Sequence, residues 1–94
     1  MDFEWDSAKD AINQRKHGIG FGQAAEIFRG TILVSEDTRR DYGERRLIAL
    51  GEYDGDVVRV VFTERGNSVR IISAWKANRN DRKSYEKAKQ DRPI

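Results

Sequence analysis

Few side chains in this sequence can move a proton or hold an anion, and their types point to one kind of chemistry. His17 is the lone histidine, and histidine is the side chain whose unperturbed pKa lies near neutrality. Arg65, Arg70 and Lys76 lie on or beside a strand-like segment and are suited to stabilising charge that develops on a phosphate. Glu44 and Glu64 are candidate bases. Arg45, Arg46, Arg59 and Trp75 are further candidates for binding RNA, and Tyr42 and Tyr85 could stack on bases, a contact worth about 1–3 kcal/mol that tolerates any base. Metal-free RNA cleavage needs the 2′-hydroxyl deprotonated, the phosphorane charge stabilised and the departing 5′-oxygen protonated. This set could meet all three needs.

Most of these residues also have a plainer reading. His17 directly precedes a glycine, where an imidazole satisfies the last carbonyls of a helix and complements its dipole. Glu44 and Glu64 flank arginines, the usual setting of a surface ion pair. Tyr85 fits core or edge packing, and Lys76 fits a solvated position at the start of a loop. Asp41-Tyr42-Gly43-Glu44 could simply order its own loop, with Gly43 allowing a positive φ and the carboxylates holding Arg45 or Arg46.

Composition limits what can carry these groups. The chain has 94 residues, 36% of them charged and 37% apolar, which predicts a single domain over residues 1–94 with a thin core; a chain of this size buries only about two-thirds of its unfolded surface. The net charge of +2 hides local concentrations of cations at Arg39, Arg40, Arg45 and Arg46, and again at Arg79, Arg82 and Lys83. There is no cysteine, which excludes disulfides, thiolate nucleophiles and most structural zinc sites. No apolar run approaches the roughly twenty residues that span a bilayer. The acidic opening Met1-Asp2-Phe3-Glu4-Trp5 is unlike a secretory signal. The expected setting is the cytoplasm, with no membrane contact.

Asp6 caps a helix over Ser7–Lys16 that Gly18 ends, and Phe21–Phe28 reads as a second, shorter helix closed by Gly30. From Ile32 the apolar pattern changes to strand type: Ile32–Val34, Arg45–Leu50, Val57–Thr63 and Val69–Trp75. Turn signals separate them at Gly43, at Gly51 with Asp54-Gly55, and at Gly66-Asn67. The Asp37–Glu44 connection is longer and charged, as a working loop would be. A last helix, Asp81–Gln90, follows Asn78 or Asn80 as cap, with Pro93 beyond it. The expected fold is α+β: two N-terminal helices, a four-stranded antiparallel meander and a C-terminal helix.

A two-residue turn at Gly66-Asn67 would pair Arg65 with Ser68, Thr63 with Arg70, Val61 with Ile72 and Arg59 with Ala74, and paired residues share a face. Arg59, Thr63, Arg65 and Arg70 then gather on one face with Lys76 at its edge. Val58, Val60, Phe62, Ile71, Ser73 and Trp75 turn towards the helices. Arginines often just cover a solvated sheet face with their stems. A cluster of like charges, however, calls for a counter-charge, which a phosphate backbone supplies.

The segments Phe3-Glu4-Trp5-Asp6, Lys16-His17-Gly18, Ala24-Ala25-Glu26-Ile27-Phe28, Asp41-Tyr42-Gly43-Glu44-Arg45-Arg46, Gly51, Val60-Val61-Phe62-Thr63-Glu64-Arg65-Gly66, and Arg70-Ile71-Ile72-Ser73-Ala74 with Lys76-Ala77 together resemble the BrnT family of bacterial toxins, from Phe3 to about Glu86. The resemblance implies a RelE-like fold, ribonuclease activity that arrests translation, and neutralisation by a BrnA-type antitoxin with a ribbon-helix-helix domain. It also implies that toxin and antitoxin together repress their operon, so that operator DNA is met only through the antitoxin. The family reads Ser-Ala-Arg-Lys-Ala where this chain reads Ser73-Ala74-Trp75-Lys76-Ala77. If that arginine acts on RNA, this chain is weakened or inactive.

Two rivals come from other classes. The same basic face would serve a nucleic-acid-binding module without catalysis, which predicts salt-dependent RNA binding and no cleavage. A protein-interaction subunit would use the charged surface for an acidic partner or for its antitoxin, and would not arrest growth. A metal-dependent nuclease fits poorly, because the carboxylates are scattered and interleaved with cations; the expectation is no metal and no cofactor.

Overall fold

The computed structural model of the chain describes residues 1–91. Its elements are β1 (Asp2–Glu4), α1 (Ser7–His17), α2 (Phe21–Ala24) running into a 3-10 turn (Ala25–Arg29), β2 (Leu33–Glu36), β3 (Leu47–Tyr53), β4 (Asp56–Arg65), β5 (Ser68–Lys76) and α3 (Arg79–Gln90). The α+β class and the two helical segments before the sheet are as expected. The Pro93 stop lies outside the described residues.

The sheet departs from the expected one. It has five strands in the order β1-β5-β4-β3-β2, and β1 runs parallel to β5, with Phe3 opposite Val69. The four-stranded antiparallel meander is therefore a mixed sheet with an extra edge strand. Three residues are too short for strand periodicity to register, and only the closing of the chain onto β5 makes them one. Likewise Phe21–Phe28 is not one α-helix but a single α-turn that tightens to 3-10 geometry. Gly51 sits inside β3 rather than in a turn. A Cβ there would lie 2.8 Å from that of Ile27, so the glycine lets the 3-10 turn rest on the sheet.

Local chemistry explains the ends of α1. The Asp6 side chain accepts from the backbone N–H groups of Ala8 and Lys9, and Gly18 closes the helix at φ +70°, its N–H donating to the Gln14 carbonyl. The only buried residue of α1 is Asn13. Its amide donates to the carbonyls of Ala74 at 2.7 Å and Ile19 at 3.0 Å, and its oxygen accepts from the Ala74 N–H at 3.3 Å. β1 pairs with β5 only as far as Arg70. Beyond that point Asn13 takes the place of a missing strand and satisfies the exposed edge.

Two cores form. Phe21, Ala24 and Ile27 pack with Leu47, Ala49, Val58, Val60, Phe62, Ile71 and Ala74 on one face of the sheet. On the other face Tyr85 of α3, 1% exposed, packs with Leu50, Val57, Ala77 and Leu33. Its hydroxyl bonds to the Thr31 carbonyl and to Glu52, so α3 is pinned across one end of that face.

The register corrects the arginine face. Arg65 pairs with Ser68 and Thr63 with Arg70, as expected. A bulge between Val61 and Phe62 then shifts the pairing, so that Val61 lies opposite Ser73, Val60 opposite Ala74, Arg59 opposite Trp75 and Val58 opposite Lys76. The expected pairs Val61–Ile72 and Arg59–Ala74 do not form, because Ile72 is the extra residue of the bulged strand. The shift turns small Ala74 to the core opposite Val60, both fully buried. It also exchanges the faces of Ser73, Trp75 and Lys76: Ser73 and Trp75 join Arg59, Thr63, Arg65 and Arg70, while Lys76 falls on the opposite face beside Val58.

Candidate functional site

The predicted site residues fall into two groups at opposite ends of the β4–β5 ribbon. Arg59 and Arg65 are six residues apart on β4, or about 20 Å at strand rise. One phosphodiester cannot touch both ends.

At the C-terminal end of β5, α1 delivers His17 to the strand edge. His17, Tyr53, Asp54, Asp56, Gln23 and Lys76 are among the residues lining a cleft of about 210 Å³. The cleft owes its shape to the β3–β4 turn, where Asp54 at φ 51° and Gly55 at φ 83° make the tight left-handed reversal expected of Asp-Gly. Lys76 reaches Asp56 at 3.5 Å, with its side chain 74% exposed, so the ammonium is steered by the carboxylate and still meets solvent. The His17 ring lies 5.6 Å from that of Trp75. The Gly18 N–H closes α1, and the imidazole makes no side-chain hydrogen bond among the described residues, so His17 caps no carbonyl with its ring, while its place in the last turn still sets it at the negative end of the helix dipole.

Trp75 leads from the cleft to the other face of the sheet, where the Arg59 guanidinium stands 5.8 Å from its ring. The Arg59 side chain is only 17% exposed, and its Nη1 donates to both carboxylate oxygens of Asp81 at 3.0 and 3.1 Å. Its Nε is buried without a partner among the described residues. Arg59, expected to bind RNA, is thus committed to holding α3 onto the sheet. Tyr85, also expected on the RNA, is core. Both corrections have one cause: α3 covers the end of the arginine face that the strand pattern alone left open.

The other group sits where β2, β3 and the 37–46 loop meet the end of β4. Asp37 is buried, and its carboxylate accepts from the Arg39 Nε and Nη2, both at 2.8 Å, from the Arg39 backbone N–H and from the Tyr42 hydroxyl. The hydrogen-bonded guanidinium beside it holds the Asp37 carboxyl well below the usual carboxylate range despite burial, and raises Arg39 in turn. Arg46 lies over the Tyr42 ring at 4.1 Å and its Nε is 3.4 Å from Glu44. Tyr42, expected to be a base platform, is half-buried and already carries the Arg46 guanidinium on its ring. Arg45 pairs with Glu36 at 3.3 Å and Arg65 with Glu44 at 3.9 Å. Thr63 donates its hydroxyl to the Arg45 carbonyl. Arg70 shares the face of Arg65 and stands 3.9 Å from Glu4 of β1.

The structure therefore brings His17 together with Lys76 and Trp75, and Glu44 with Arg65, Arg45 and Arg46, while Arg70 stays near Arg65. Sequence reasoning missed Asp56, Asp81 and Asn13. Asp56 follows the turn signal and Asp81 the cap of the last helix, so their positions were legible but their partners were not. Asn13 carried no signal, being one polar residue in a polar helix.

A family model described as the ribonuclease toxin BrnT of type II toxin-antitoxin systems matches residues 5–81. No curated protein matches the chain.

Proposed function

The chain belongs to the BrnT family of ribonuclease toxins of type II toxin-antitoxin systems, and from that premise we propose that it cleaves RNA without a metal in the cleft at the end of β5. The observation that carries this reading is that His17 and Lys76, distant in sequence, line one cleft with the Trp75 ring against the imidazole. His17 takes the proton from the 2′-hydroxyl as that oxygen attacks phosphorus. Lys76, steered by Asp56, neutralises the charge that builds on the non-bridging oxygens. The bond to the 5′-oxygen breaks, that oxygen takes a proton from solvent at the open cleft, and a 2′,3′-cyclic phosphate remains. Trp75 offers a face on which a neighbouring base stacks. The scheme uses no metal: of the two carboxylates lining the cleft, Asp54 and Asp56, Asp56 is engaged with Lys76.

The wider reading follows the family: a RelE-like domain spanning the chain, acting in the cytoplasm, arrests translation and is neutralised by a BrnA-type ribbon-helix-helix antitoxin, through which alone it meets operator DNA. Trp75 favours a second reading. With an indole where the family carries arginine, the chain loses one charge beside His17. It would then serve as a poorly active subunit that binds RNA or antitoxin in operon autoregulation.

The test is inducible expression with and without the antitoxin gene, scoring growth and RNA integrity, together with purified protein and RNA in chelator. We expect growth arrest relieved by the antitoxin, cyclic phosphate ends that form in chelator, and about tenfold faster cleavage by Trp75→Arg, the rate equivalent of about 1.4 kcal/mol. Toxicity confined to Trp75→Arg would favour the second reading. Intact RNA and normal growth with both chains would sink the cleavage reading.

A further inference from the structure

Arg40, with Lys9, Arg15 and Lys16 of α1, enters no ion pair among the described residues, but the other cations of the sheet and its loops are neutralised within the fold: Arg39 by Asp37, Arg45 by Glu36, Arg46 and Arg65 by Glu44, Arg59 by Asp81, Arg70 by Glu4 and Lys76 by Asp56. Those on the outer side of α3 are not. Arg79, Arg82, Lys83 and Lys87 are exposed and enter no ion pair among the described residues. With Glu86 and Gln90 they line one shallow surface. Their spacing places them on one side of the helix. The opposite side is spent on docking, where Tyr85 enters the core and Lys89 joins Glu52 at 3.0 Å.

A stripe of four cations with one carboxylate among them is costly through self-repulsion unless an anion meets it. Its position selects the anion. The first turn of α3 carries Asp81, which holds Arg59; Arg59 stands over Trp75, and Trp75 lies against His17. A relay of three side chains, Asp81, Arg59 and Trp75, thus links the helix that carries the stripe to the His17 cleft. α3 is 12 residues long, about 18 Å, enough to follow several nucleotides of a single strand.

We propose that the outer face of α3 is a docking track for the phosphate backbone of the RNA strand whose reacting bond lies in the β5-end cleft. This rests on the RNA-cleavage reading of that cleft and adds to it the surface that supplies affinity for long substrates. Backbone contacts of this kind position a strand without reading its sequence, so the track governs affinity and salt dependence while the cleft governs chemistry.

The test compares three proteins: the native chain, Arg82→Gln/Lys83→Gln/Lys87→Gln, and a control with the same loss of charge elsewhere, Lys9→Gln/Arg15→Gln/Arg29→Gln. Binding to a twelve-nucleotide 2′-O-methyl RNA, which cannot be cleaved through its 2′-oxygen, is followed against salt by fluorescence anisotropy. Each lost phosphate contact on a single strand reduces the slope of log affinity against log salt by about 0.7, so the α3 variant is expected to lose about 2 from the slope and the control much less. Its KM for a long RNA rises about tenfold or more while cleavage of a dinucleotide, too short to reach α3, is unchanged. An α3 variant with the native slope, or one matched by the control, overturns the proposal. So does a variant that loses only antitoxin binding, which would give this face to the protein partner. Failure of the native chain to cleave any RNA would refute the catalytic reading and leave the slope measurement still decisive for the track.

Discussion

The two ends of the β4–β5 ribbon carry similar residues and use them differently. At the end beside the 37–46 loop, charge is organised around a buried carboxylate. Asp37 is fully enclosed and accepts from Arg39 and Tyr42, Arg46 covers Tyr42, and Glu44 faces two arginines. Asp37, Glu44 and Glu36 are each paired there with an arginine, and only Asp37 is held well below the usual carboxylate range by its guanidinium partner. At the end beside α1, the imidazole of His17 lies against the Trp75 ring and enters no side-chain hydrogen bond or ion pair among the described residues, and Lys76 remains largely in solvent. The difference teaches that a dense set of opposite charges marks a structural network, whereas a titratable group without a hydrogen-bond partner beside a solvent-exposed cation is what proton transfer requires.

The largest expected effect tests that ranking directly. His17→Ala and Lys76→Ala should each lower kcat/KM for RNA by at least about 100-fold with the fold intact, as expected for loss of acid–base or charge-stabilising groups, while Arg65→Ala and Glu44→Ala should cost less than about tenfold. The reverse order in a cleavage assay would move the active site to the loop end.

Asn13→Ala comes next. It leaves the outward N–H and carbonyl of Ala74 unpaired in a buried place, at a cost of about 2 kcal/mol in denaturant unfolding, and it loosens the strand that carries Trp75 and Lys76. An unchanged midpoint would mean that Asn13 does not hold the edge.

Asp37→Asn should cost about 1 kcal/mol and leave cleavage near native, sharpening the contrast between a structural and a reactive end. The pH dependence has a definite sign. A carboxyl depressed in the folded state stabilises fully above its unfolded value of about 3.9, and the contribution disappears as the pH falls towards the folded value. The native chain should therefore lose stability below about pH 4 more steeply than Asp37→Asn, as read by thermal melts across the acid range. Equal slopes would remove Asp37 from the account. The smallest effect belongs to Glu36→Gln, whose exposed pair with Arg45 should be worth under about 0.5 kcal/mol.

Much of the fold was legible because its signals are local. Asp6 and Gly18 bound α1 through groups a few residues away, Asp54-Gly55 and Gly66-Asn67 set the hairpin turns, and β4 and β5 announce themselves by runs of β-branched residues. Asn78, one of two candidate caps, is the residue whose side chain accepts from the Asp81 N–H, though the helix begins at Arg79 rather than Asp81. Of the site, His17 and Lys76 were legible by chemical type alone. That they share a cleft was not, since nothing local connects the end of α1 to the end of β5.

The sequence by itself determined the α+β class, the element order apart from β1, the turns at Asp54-Gly55 and Gly66-Asn67, and the family. Tertiary structure decided which face each β5 residue serves. A bulge inserts one residue where packing demands it: here Ala74, not Ser73, had to lie against the core, with Asn13 waiting at the strand edge. Because side chains alternate along a strand, that single insertion reversed every position after Ile72. Trp75 was thereby placed beside Arg59 and His17, and Lys76 in the cleft. Propensity acts over neighbouring residues. Register and burial are settled by contacts between segments far apart in the chain, as when Asp81 claimed Arg59 and the core claimed Tyr85.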